Sequence, residues 1–130
     1  MKQFEEFGRV MAVLLGLKRD GRFAEFEELI RNTSLKYTGA EIDYMASVEN
    51  DQLIEVLTDQ HKLNDEQLKM AGDLLYEQAE THLHAGRSAE ACTCYQKSLL
   101  IYEFLQSQST LPYSLDVHYK VKLLREMLTS

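Results

Sequence analysis

Gly86 lies between two long helical runs, 68–85 and 89–106, and it limits the folds open to this chain more than any other residue. A glycine there closes a helix in a left-handed turn without the steric penalty of a Cβ. In Ala85-Gly86-Arg87-Ser88-Ala89-Glu90-Ala91, the small Ala91 then lets the second helix pack closely against the first. The expected product is an antiparallel helix hairpin, the unit that solenoid repeats stack.

Apolar side chains recur at helical spacing through the rest of the chain. Phe4, Phe7, Met11, Leu14 and Leu15 predict a helix over 3–18, closed by the Asp20-Gly21 turn. Phe23, Phe26, Leu29, Ile30 and Thr33 predict a second, which fades near Tyr37 and stops at Gly39. Thr38 and Glu41 have the spacing of a capping box for a short third helix to Met45, and Ser47 is placed to cap a fourth that carries Leu53, Ile54, Val56 and Leu57. A polar connector over 60–63 leads to Asn64, a good N-cap, with Asp65 and Glu66 matched to the positive end of the fifth helix. Leu68, Ala71, Leu75, Ala79 and Leu83 or His82 mark one face of that helix, and Ala91, Tyr95, Ser98, Leu99 and Tyr102 that of the sixth. Pro112 must lie outside a helix interior. Ser114 is a cap for a seventh helix with Val117, Val121, Leu124 and Leu128 as its stripe. No segment alternates polar and apolar residues over more than four positions, so no strand is expected.

The chain therefore reads as one all-α domain over 1–130, built of antiparallel helix hairpins with about seven helices. Its parts are an N-terminal hairpin over 1–37, short helices over 38–63, a hairpin over 64–107 and a C-terminal helix over 112–129. A short internal echo links the hairpins. Gly-Arg-x-Ala-Glu occurs at 21–25 and again at 86–90, an offset of 65 residues that also aligns Ile30 with Tyr95 and Val10 with Leu75.

With 45% hydrophobic and 27% charged residues, the chain is too apolar for disorder. The net charge of −7, mostly in the first half, repels phosphate backbones and anionic lipid, so neither nucleic acid nor membrane is an expected partner. The apolar run Met11–Leu17 follows Glu5 and Glu6 and precedes Lys18-Arg19-Asp20. That is the reverse of a secretory signal, and the run is too short to span a bilayer, so a cytoplasmic location is expected. Cys92 and Cys94 point roughly 200° apart on a helix and cannot bridge. No His or Cys pair has the i, i+4 spacing of a helical zinc site, so neither metal nor cofactor is expected.

Residues 72–105 resemble one tetratricopeptide-type repeat. Leu75, Ala79, Gly86, Ala91, Tyr95 and Ser98 fall where that repeat places a large residue, a small residue, the turn glycine, a small residue, an aromatic and a small residue. His82 stands in place of an aromatic and Glu103 in place of a proline. The whole chain also resembles a bacterial family of small all-helical proteins of unknown function. The likeness rests on the apolar N-terminal helix over 10–17, the Gly-Arg-Phe-Ala-Glu turn, the Leu-rich middle over 51–57 and the closing hairpin. These resemblances imply a fold and no catalytic residue.

Glu25, Glu27 and Glu28 form the densest carboxylate group, with Glu25 and Glu28 one turn apart opposite the Phe23–Ile30 stripe, which reads as a solvated face. Asp51, Glu55 and Asp59 make an acidic row at i, i+4, i+8 that suits a cation or a basic partner. No nucleophile elbow or phosphate loop is present. The C-terminal half instead concentrates aromatics: Tyr95, Tyr102, Phe104, Tyr113 and Tyr119 are the candidate partner-binding residues, since aromatics are enriched at interface cores. The expected function is a non-enzymatic protein–protein interaction or scaffold module that takes a protein or peptide, favouring a basic one. A homodimeric structural protein without an open groove is the alternative, followed by a small-ligand-binding bundle.

Overall fold

The turns expected at Gly21 and Gly86 both form, and they are one turn made twice. The glycines have φ of 73° and 81°. The N–H of Arg22 donates to the Leu17 carbonyl at 2.9 Å and that of Gly21 to Lys18 at 3.2 Å; Arg87 and Gly86 repeat this with His82 at 2.8 Å and Leu83 at 3.1 Å. Both are Schellman motifs, in which the left-handed residue lets the last carbonyls of a helix find donors. Every donor and acceptor in the second turn lies 65 residues beyond its counterpart in the first.

The computed structural model describes residues 2–108 and 115–129, with side chains from residue 5 onward. The two turns join α1 (Lys2–Arg19) to α2 (Phe23–Thr38), and α5 (Asp65–His84) to α6 (Ser88–Gln108). Between the hairpins lie α3 (Ile42–Ser47) and the single turn α4 (Leu53–Glu55), and α7 (Leu115–Thr129) closes the described chain. The described residues hold seven α-helices and no strand. Each long helix packs on the next long one: α1 on α2, α2 on α5, α5 on α6, α6 on α7. Leu14, Phe26, Ile30, Leu57, Leu74, Ile101 and Leu124 are fully buried in one continuous core.

The middle departs from expectation at its caps. Thr38 does not cap α3. Gly39 turns left-handed at φ 72° to end α2, so the Thr38 hydroxyl folds back on its own helix, donating to the Ser34 carbonyl at 2.7 Å. Ser47 likewise donates to the Tyr44 carbonyl at 2.7 Å, and the next helical turn has no side-chain cap. The fourth helix foreseen from the sequence is a change of pitch instead: a 3-10 turn Asn50–Gln52, then α4, then a π turn Val56–Gln60. Leu53, Val56 and Leu57 are still buried, as their spacing requires. Asn64 behaves as expected. Its side chain accepts from the Gln67 N–H at 2.8 Å, and Gln67 closes the capping box on the Asn64 N–H at 3.0 Å. The Gln67 amide also donates to the Tyr37 carbonyl at 3.1 Å, tying the start of α5 to the end of α2.

The internal echo extends well beyond five residues. In the first hairpin the Tyr37 ring meets Phe7 edge-on at 5.4 Å. The counterparts 65 residues on are Tyr102 and Gly72, and there the Tyr102 ring occupies the space a side chain would take: a Cβ on Gly72 would lie 2.8 Å from the ring. The Ser98 hydroxyl donates to the Gly72 carbonyl at 2.8 Å, and Ala91 is buried, so α5 and α6 run in close contact.

Candidate interaction surface

The residues singled out as a partner surface separate into core and surface. Tyr102 is fully buried, and its hydroxyl donates to Asp73 at 2.5 Å. Tyr95 is buried with its ring edge-on to Tyr76 at 5.7 Å across the hairpin. Phe104 is half-buried against the core, and Leu105 is buried. Tyr95 and Tyr102 thus follow the inner-face spacing of the sixth helix and present no exposed side chain to a partner, and α7 packs along α6 with Val117, Val121 and Leu124 buried. Tyr113 lies outside the described residues. Tyr119 is 63% exposed.

Beside Tyr102 the sequence left a site unread. Lys69 and Asp73 pair at 2.9 Å on α5, and Asp116 lies 3.0 Å from Lys69 and 3.8 Å from Lys120 on α7. Lys120 returns to Asp73 at 3.5 Å, closing a ring of alternating charge. The Lys120 ammonium also sits 4.9 Å from the centre of the Tyr76 ring and 5.7 Å from that of Tyr102, within cation–π range. Lys69, Asp73 and Lys120 are mostly shielded from water, so attraction here is less screened than on an open surface. Burial acts to raise the Asp116 carboxyl, but the two lysines outweigh it and hold the carboxyl below its ordinary value. Burial likewise acts to lower the Lys69 ammonium, and Asp73 and Asp116 overcome it. The i, i+4 pairs Lys69/Asp73 and Asp116/Lys120 were visible in the sequence, but their meeting was not.

Two further clusters tie the helices together. Lys18 donates to Glu77 at 2.7 Å and Glu80 at 2.9 Å, joining α1 to α5 next to Tyr95, whose hydroxyl burial and Glu80 push up to about 12. Lys97, buried on α6, donates to Asn50 and faces an open polar pocket of about 500 Å³ between α6 and the Ala46–Asp51 loop. Burial lowers its ammonium pKa, and Glu49 only partly offsets that. Each cluster fastens one segment of the chain to another.

The acidic groups are also spread. Glu25 is bound by Arg22 at 2.6 Å, and Glu27 meets Arg87 at 3.8 Å, beside the Phe23–His84 ring contact. Asp51, Glu55 and Asp59 are exposed and lie in turn on the 3-10 turn, α4 and the π turn. Among the described residues no three His, Cys, Asp or Glu converge as metal ligands, and no helix is long and apolar enough to cross a membrane.

The outer side of α7 remains open. Leu115 is 72% exposed, Tyr119 63% and Met127 37%, and with half-buried Leu123 they recur every four residues. No family model, curated protein or solved structure matches the chain.

Proposed function

We propose that this protein is a non-catalytic, tetratricopeptide-like module that holds a protein or peptide partner. The observation that carries the reading is the exposed apolar row Leu115, Tyr119 and Met127 on α7, a helix whose opposite side buries Val117, Val121 and Leu124 and whose flank is tied to α5 by the Lys69–Asp73–Lys120–Asp116 ring. Apolar groups on a fixed helix bind at low entropic cost, because the surface needs no ordering on contact. The net charge of −7 favours a basic partner, steered fastest at low salt.

Leu115→Ser with Tyr119→Ser tests the reading. Both side chains are exposed, so the melting temperature is expected to stay close to that of the parent. A partner captured from cell extract by the parent protein, and confirmed with the purified partner, is expected to be lost by the variant. Unchanged affinity for that purified partner would move the site elsewhere, and failure of the parent to bind any protein would end the proposal.

A further inference from the structure

The repeat shows what α1 lacks. At the 65-residue offset, α1 is the counterpart of α5. On α5, Met70, Leu74, Glu77, Gln78 and Thr81 lie on the side away from α6 and are all buried beneath the helices that precede it. Their counterparts on α1 are Glu5, Arg9, Ala12, Val13 and Gly16. No described helix covers that face of α1, and four of these five are exposed, with Gly16 half-buried. Val13 is 54% exposed and Leu15 44%, and a Cβ added at Gly8 would meet no atom within 4 Å. The same helical face is core in one copy of the repeat and bare in the other.

The sequence of α1 says what fits that face. Read outward from Ala12, its exposed positions pair by size and charge near the ends: Gly8 mirrors Gly16 and Glu5 mirrors Arg19, while Arg9 mirrors the exposed Leu15, along which its aliphatic stem can lie. A second α1 laid antiparallel across the first, with the two Ala12 residues at the crossing, sets each Glu5 against the other copy's Arg19. It also sets each Gly8 against a Gly16, so the backbones approach closely between ridges of Val13 and Leu15. Glu5 has no ion-pair partner among the described residues, and Arg19 reaches only its neighbour Asp20, at 3.4 Å. A parallel arrangement would set acid against acid and base against base, which opposes association.

We propose that two copies of this chain pair through α1, antiparallel, with Ala12 on the two-fold axis. The contact is isologous and closes at two copies. It uses nothing on α7, so it stands apart from the partner surface proposed above. One helix pair is a small interface, and its affinity is expected to be in the micromolar range.

Sedimentation equilibrium up to roughly 200 μM, well above a micromolar dissociation constant, is expected to show a monomer–dimer equilibrium. Ala12→Arg, on an exposed helical position, is expected to weaken it at least tenfold, on the order of 1.4 kcal/mol or more, with an unchanged circular dichroism spectrum. Glu5→Arg alone is expected to weaken it, and Glu5→Arg with Arg19→Glu to restore it. In a Cys92→Ser background, Ala12→Cys is expected to form a disulfide dimer on mild oxidation. Gly8→Cys and Gly16→Cys are expected to cross-link when mixed and not separately. A strict monomer at the highest concentration, a Gly8→Cys disulfide with itself, growth beyond two copies, or failure of the double charge reversal to restore association would each overturn the proposal.

Discussion

At Gly86 the backbone is left-handed and a Cβ would meet nothing within 4 Å, so any penalty for a side chain there is conformational. Gly86→Ala is expected to destabilise by about 1 kcal/mol, and Gly21→Ala in the equivalent turn by a similar amount, both read by chemical denaturation. An Ala variant as stable as the parent would contradict the left-handed assignment. Gly72 is needed for a different reason: its Cβ would press into the buried Tyr102 ring at 2.8 Å. Gly72→Ala is expected to cost roughly 1–3 kcal/mol, and part of that loss is expected to disappear in the background of Tyr102→Leu, because the two residues share one space. The turn glycines were legible because each sits between two helical runs. Gly72 sits inside one, and only the neighbouring helix explains it. Tyr102 stood open between inner face and partner surface for the same reason. An aromatic on a helix looks alike in sequence whether it meets solvent or a glycine.

Elements are joined by contacts that local pattern reaches unevenly. Ala91 was expected against α5 and is 1% exposed, so Ala91→Leu is expected to overpack the hairpin and cost roughly 1–3 kcal/mol, measured as a lower denaturation midpoint. A midpoint equal to that of the parent would mean the hairpin has room to spare. The attachment of α7 is electrostatic as well as apolar and carries a pH dependence. The Asp116 carboxyl is held below its ordinary value, so the stability it contributes is present above the unfolded-state pKa and is lost as pH falls through the lower folded-state value. The difference in melting temperature between the parent and Asp116→Asn is therefore expected to be largest at neutral pH and to close as pH falls below about 4. A difference that widens in acid would show that the ring does not hold the charge. Capping was only partly readable. Asn64 matched because its partner, the Gln67 N–H, sits within one turn of it; the Gln67 side chain that completes the capping box was not foreseen. Thr38 and Ser47 each had a closer carbonyl available on their own helix and took it.

For the molecule as a whole, the contrast between the two cysteines reports how tightly the core is closed. Cys92 is exposed and Cys94 buried, with burial pushing the Cys94 thiol up to about 11. A thiol reagent at neutral pH is expected to modify Cys92 rapidly and Cys94 only as fast as the α5–α6 hairpin opens, so that destabilising variants such as Gly72→Ala speed the second reaction. Rapid reaction of both thiols in the native protein would show a looser core. The sequence by itself determined the long helices, the two glycine turns and the echo between them, because helical period, turn glycines and a five-residue motif are all written within one or two turns of chain. Only the tertiary structure decided which aromatics are core, which charges close into a ring and which helix faces stay bare. Those outcomes depend on residues brought together from 29 to 62 positions away, as with Tyr102 and Asp73 or Lys18 and Glu80, and no local pattern records such distances.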